Sequence, residues 1–233
     1  FYIYIMSQRG GELIGQGSFG CAYRPALPCA GSSVRPAGKI SKLMLTADAK
    51  KELKENKVID EIDPHGVFHY VAPDMCKYNI KKMDPKVDGY EFNCGPIQTY
   101  GWNRSVSILN YMDGGKSLED FLQEYTGKAD YENYSIERRE RDFIEYFFAM
   151  EDVFKGLVEM LKNQYCHFDI KSENMVIDPA TMKIKFIDFG MSMKFNKVHK
   201  WEDLDRSYFV WPYDVALISS TYIDSIEGLS DTL

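Results

Sequence analysis

Three oxygen-bearing side chains stand in a fixed rhythm near the end of this chain: Asp169, then Asn174 five residues on, then Asp188 fourteen further. Carboxylate and amide oxygens are what a hard cation such as Mg²⁺ takes as ligands. All three fall within residues 165–190, YCHFDIKSENMVIDPATMKIKFIDFG, where His167 and Lys171 flank Asp169. A second set lies near the start, where Gly15, Gly17 and Gly20 spell G-x-G-x-x-G. Glycines in that pattern leave main-chain N–H groups bare for the close approach of a phosphate. Metal-binding oxygens and a phosphate-covering loop together point to phosphoryl chemistry.

The elements that must position these residues follow from the local pattern. Met175-Val176-Ile177 and Lys183 to Ile187 read as two strands joined by the turn Asp178-Pro179-Ala180-Thr181, which holds the two acidic turns at a set separation. After Gly20, Cys21 to Arg24 reads as a strand, and Pro25 and Pro28 forbid a continuing helix. The glycine loop is therefore strand–loop–strand, not the strand–loop–helix of a dinucleotide-binding fold. Ala37 to Leu45 is a third strand, and Asp48 to Ile62 a helix capped by Thr46 or Asp48 and stopped before Pro64. Val67 to Val71 and Ser105 to Met112 are the fourth and fifth strands, separated by a polar insertion around Asp84 to Arg104. Ser117 to Tyr125 is a short helix. Phe143 to Lys162 is the strongest helix, and its stripe of Phe143, Phe147, Met150, Phe154, Leu157 and Leu161 is expected to pack in the core.

HFDIKSEN resembles the H-R-D-x-K-x-x-N catalytic loop of eukaryotic-type Ser/Thr protein kinases, and IDFG resembles their metal-binding D-F-G turn. The resemblance spans residues 10–214 and implies an α+β, two-lobed, protein-kinase-like fold. Residues 1–112 would be an N-lobe of antiparallel sheet plus one helix, and residues 113–233 a mainly helical C-lobe. It also implies ATP as phosphoryl donor and Mg²⁺ as metal. On that resemblance Asp169 would be the proton acceptor and Lys171 would neutralise the moving phosphoryl group. Asn174 and Asp188 would bind the metal. Gly15, Gly17 and Gly20 would cover the phosphates, Ala22 stands where the family usually has Val over adenine, and Val176 would floor that pocket. Asn110 and Met112 would read adenine through their main chain, with Leu109 guarding the rear.

The phosphate-holding lysine is Lys42 or Lys39, with Lys42 favoured by its place before Leu43-Met44. Its glutamate partner is read as Glu55, because apolar Val58, Ile59 and Ile62 follow at three, four and seven positions, a pattern Glu52 lacks. Phe168 replaces the usual Arg, so no phosphate-ordering pocket can form in the usual way. An apolar ring there should pack on the activation segment near Met191 or Met193, and the enzyme should work without phosphorylation of Ser192, Ser207 or Tyr208. Trp211-Pro212-Tyr213-Asp214 only loosely echoes A-P-E. The C-terminal helices of the family look missing, so the lobe is minimal or the chain partial. I-G-Q-G-S-F-G-C-A-Y-R-P, I-S-K-L-M and the W-P segment look most like kinases encoded by large DNA viruses. Two other readings share the motifs: a small-molecule phosphotransferase of the aminoglycoside-kinase type, and a non-catalytic pseudokinase.

Composition sets outer bounds. With 233 residues, 45% of them hydrophobic, the chain can bury a real core. The formal charge is −7, divided as +2 over residues 1–80 and −9 over the rest. That balance argues against a nucleic-acid surface and suits basic protein substrates. No apolar run approaches the ~18 residues of a membrane span, and Phe1 to Met6 is too short for a signal-peptide core. Five cysteines with irregular spacing predict reduced thiols and an intracellular setting, host cytoplasm or virion.

Overall fold

A computed structural model describes residues 11–79, 94–100, 105–126 and 134–194. Phe1 to Met6, the greater part of the Asp84 to Arg104 insertion, and Ser207, Tyr208 and Trp211 to Asp214 lie outside the described residues. The chain divides into two compact units, one of Phe1–Gly66 with Tyr70–Gly114, the other of Val67–His69 with Gly115–Leu233.

The first unit is built on a five-stranded antiparallel sheet. Its strands are β1 (Glu12–Gln16), β2 (Gly20–Arg24), β3 (Lys39–Leu45), β4 (Asp74–Lys77) and β5 (Val106–Met112), in the spatial order β1-β2-β3-β5-β4. Register places Ala22 opposite Lys42, Lys42 opposite Leu109 and Leu109 opposite Met75, so these four form one row on one face. Helix α1 (Thr46–Ile62) covers that face, burying Ala49, Glu52, Asn56 and Ile59. Met44, Ala49 and Leu109 form its core, with Leu53, Met75 and Tyr111 packed around them. The opposite face carries Cys21, Tyr23, Leu43, Val106 and Ile108, closed by Cys94 and Ile97 at short helix α2 (Gly95–Tyr100).

Two sequence expectations fail in this unit. The fourth strand is Asp74–Lys77, not Val67 to Val71. Pro73 ends the earlier stretch, Val67 and Val71 are exposed, and His69, itself part of the second unit, bridges to Phe186 there. The thiols are not all reduced: Cys21 is bonded to Cys94 and Cys29 to Cys76, each pair with Cα atoms 5.8 Å apart. Pairing is decided by which strands the sheet brings side by side, and spacings of 73 and 47 residues carry no sign of it. Cys166 alone is free among the described cysteines.

The second unit holds strands β6 (Lys116–Ser117), β8 (Met175–Asp178) and β9 (Lys183–Phe186) in one sheet, and β7 (Tyr165–Cys166) paired with β10 (Met193–Lys194) in another. Helix α3 (Leu118–Thr126) follows β6. The long helix expected over Phe143 to Lys162 is two helices, α4 (Ile136–Ala149) and α5 (Glu151–Lys162), meeting at Met150. The aromatic stripe does not face the core: Phe143, Phe147, Phe154 and Leu161 are more than half exposed, while Val153, Gly156 and Met160 are buried. The buried row is set by Phe68, whose ring lies directly against Gly156 and leaves no room for a larger side chain. Size at one contact therefore outweighs the hydrophobicity of the neighbouring stripe. No helix among the described residues is long and apolar enough to cross a membrane.

Candidate active site

The candidate residues fall into two groups, one within each unit. In the first, the main-chain N–H of Gly17 reaches Gly20 O at 2.9 Å and closes the glycine turn. A Cβ at Gly20 would collide with β3 at Leu43 O and Met44, so glycine there is demanded by packing. A Cβ at Gly15 or Gly17 would meet nothing within 4 Å. Internal packing therefore does not demand glycine at those two positions.

Lys42 extends from the middle of the sheet row toward α1. Its ammonium lies 2.9 and 2.8 Å from the two carboxylate oxygens of Glu52, which is 4% exposed. Lys39 pairs instead with Asp74. The glutamate assignment is corrected from Glu55 to Glu52. β3 runs into α1 without a loop, the Thr46 N–H bonding to Ser105 O at 3.0 Å, so the strand end sets which helix face meets the sheet. That face is Ala49, Glu52, Asn56 and Ile59, and Glu55 lies off this row. Half of the row is polar, so counting apolar neighbours selects the wrong residue. The small Ala49 before Glu52 and Ile59 after it are the signals available in the sequence.

At the far end of β5, Asn110 is buried, its side chain accepting from Ser41 Oγ at 2.5 Å. β4 stops opposite Asn110, so among the strand ladders Met112 is flanked by β3 alone, opposite Lys39.

The second unit holds the acidic group. His167 is 1% exposed, and burial pushes its imidazole below the usual range. Asp169 N–H donates to His167 Nδ1 at 3.3 Å, which makes Nε2 the protonated nitrogen and donor to Ile187 O at 3.2 Å. A neutral histidine thus ties the Asp169 turn to the Asp188 turn. Asn174 Nδ2 donates to Asp169 O at 3.0 Å, leaving its side-chain oxygen for a cation, and Ile187 N–H bonds to Asn174 O at 2.9 Å. The Asp169 carboxylate is 3.3 Å from the Lys171 ammonium.

Asp188 stands at φ 59°, ψ 69°, a left-handed conformation that costs ~1 kcal/mol or more for a non-glycine residue. The turn is held by Phe189, 1% exposed, whose ring packs 4.9 Å from His167 and 6.3 Å from His69, and by the Gly190 N–H on Asp188 Oδ1 at 3.4 Å. Val176 lies in β8 between Ser117 and Lys185. Asp178 builds the expected hairpin turn, accepting from Ala180 N at 3.0 Å and Thr181 Oγ1 at 2.8 Å, which lowers its carboxyl below the usual range. Residues after the acidic turn return to the loop: Met193 pairs with Cys166, and Ser192 Oγ donates to His167 O at 3.2 Å.

A family model for the protein kinase domain matches residues 9–223. The chain belongs to the protein kinase domain family. Among curated proteins, this kinase domain is 30% identical over 117 residues to a probable serine/threonine-protein kinase fnkB of Dictyostelium discoideum, covering 50% of the chain and 18% of that protein. It is 34% identical over 85 residues to a probable serine/threonine-protein kinase HSL1 of Saccharomyces cerevisiae, covering 36% and 5%. It is also 32% identical over 101 residues to serine/threonine-protein kinase ppk25 of Schizosaccharomyces pombe, covering 43% and 20%. The kinase domain thus spans a fifth or less of the length of these relatives.

Proposed function

We propose that this chain is an ATP-dependent serine/threonine protein kinase. The observation that carries the reading is the Asp169 carboxylate, held 3.3 Å from Lys171 with its main chain clamped by Asn174. That arrangement suits a proton acceptor for a substrate hydroxyl, with the cation at Lys171 offsetting charge on the phosphoryl group in transit. The hydroxyl oxygen bonds to the γ-phosphorus, its proton passes to Asp169, and ADP departs. Lys42, fixed by Glu52, holds the α- and β-phosphates, and the bare glycines at 15 and 17 let the loop cover them. Among the described residues no three His, Cys, Asp or Glu side chains gather as a metal cage. Asn174, whose Nδ2 bond to Asp169 O leaves the side-chain oxygen available, and Asp188 would hold a Mg²⁺ ion. Such an ion, when bound, supplies neutralisation of the phosphate charge.

Lys171 two residues after Asp169 supports a Ser/Thr over a Tyr acceptor, as do the names of the relatives. The acidic balance of residues 81–233 supports basic protein substrates. The likeness to kinases of large DNA viruses, and with it an intracellular or virion setting, belongs to the same reading. With Cys21–Cys94 and Cys29–Cys76 bonded, reduced thiols lend that setting no support.

The test is transfer from γ-labelled ATP to a Ser/Thr/Tyr peptide library with Mg²⁺, beside an Asp169→Asn control. Labelled Ser or Thr in basic peptides, lost in the control, is expected. Labelling of small amino-alcohols alone would instead identify a small-molecule phosphotransferase, and nucleotide binding without turnover a pseudokinase.

A further inference from the structure

The Lys42–Glu52 pair is itself held, by residues on which no motif draws attention. Tyr111 lies on β5 two residues after Leu109, so it shares the sheet face of Lys42. Its phenol oxygen is 2.6 Å from Glu52 Oε1. Asn56, one turn after Glu52 on α1 and 2% exposed, places its Nδ2 2.9 Å from the main-chain oxygen of Glu52 and 3.3 Å from Tyr111 Oη.

The direction of each bond is forced. An amide nitrogen only donates and a carboxylate only accepts. Tyr111 therefore accepts from Asn56 and gives its single proton to Glu52. Both hydrogens of the Asn56 amide are engaged, and Glu52 Oε1 receives Tyr111 together with Lys42. A phenol-to-carboxylate bond is charge-assisted and short, the kind that fixes a flexible side chain in one rotamer.

We propose that Tyr111, with Asn56 behind it, is a positioning residue that orients Glu52 and through it the phosphate-holding Lys42. The relay is made wholly of residues in the first unit. The functional consequence rests on the protein-kinase reading, whereas the relay is a property of the folded chain.

The test is a double-mutant cycle in the full chain: wild type, Tyr111→Phe, Glu52→Gln and the double variant. Tyr111→Phe keeps the ring against Met44, Ala49 and Leu109, and a thermal melt confirms folding. Two readouts are taken for each protein. One is kcat and KM for ATP. The other is the acylation rate of Lys42 by acetic anhydride at low conversion, quantified by mass spectrometry with the other lysines as internal standards. Tyr111→Phe is expected to raise KM for ATP and to speed Lys42 acylation, each by ~3- to 10-fold, the scale of one typical net hydrogen bond. In the Glu52→Gln background the same change should move either readout by less than ~2-fold. No change in the wild-type background overturns the proposal. An equal change in both backgrounds overturns it too, since Tyr111 would then act elsewhere. If the wild-type chain transfers no phosphoryl group, the kinase reading falls, and the acylation cycle still decides the relay.

Discussion

Reducing the Cys21–Cys94 disulfide should weaken the first unit severely. The bond joins residues 73 apart, tying β2, directly after the glycine loop, to the start of α2. In the chain-entropy model, closing a loop of that length removes ~15 cal/mol/K from the unfolded chain, or ~4.4 kcal/mol at 25 °C. Cys29–Cys76, at a separation of 47, gives ~4 kcal/mol alone, but its loop is nested inside the first and the two do not add. Measured disulfides return ~2–4 kcal/mol. For a unit of this size that corresponds to a fall of ~10–20 °C in Tm. The assay is a thermal melt of wild type with and without reductant, beside the Cys21→Ser/Cys94→Ser double variant. Alkylation in denaturant without reductant should label one cysteine, Cys166, and all five after reduction. Five labelled thiols before reduction would refute the pairing, and a Tm shift below ~2 °C would refute the entropic argument.

Four further outcomes are expected. Glu52→Gln should lower kcat/KM by ~30-fold or more, because it strips a charge from the Lys42 pair, whereas Glu55→Gln should cost less than ~3-fold; steady-state kinetics at saturating peptide would show the reverse if the helix face were misassigned. Asp188→Asn should abolish Mg²⁺-dependent transfer with the melt unchanged, and an undiminished rate across a Mg²⁺ titration would sink its metal role. Gly156→Ala would gain ~1 kcal/mol on helix propensity alone, but its Cβ would sit 2.6 Å from Phe68 Cβ, so a net loss of ~1–2 kcal/mol in chemical denaturation is expected, with partial rescue by Phe68→Leu. Because Phe168 offers no charge to a phosphorylated segment, phosphatase-treated protein, verified unmodified by mass spectrometry, should keep full ATP turnover.

The sequence by itself determined the chemistry-bearing turns and the elements around them. Glycine spacing, the His167 to Asn174 loop and the Asp178 turn are local: each depends on residues within a few positions, and local patterns write such features directly. The same locality made β1, β2, β3, β5 and the β8–β9 hairpin legible. Tertiary structure decided everything that depends on which face meets which. Glu52 rather than Glu55 faces Lys42 because β3 enters α1 without a loop and sets the helix phase, a fact that apolar counting along a half-polar row cannot see. The exposed Phe143, Phe147 and Phe154 look like core in sequence. The side of the helix that is buried follows from Gly156, where the missing side chain admits Phe68 from 88 residues upstream. Cys21 finds Cys94, and Tyr111 finds Glu52, through sheet order and register. Those contacts join residues scores of positions apart, and their free energy exists only once the strands between them have paired.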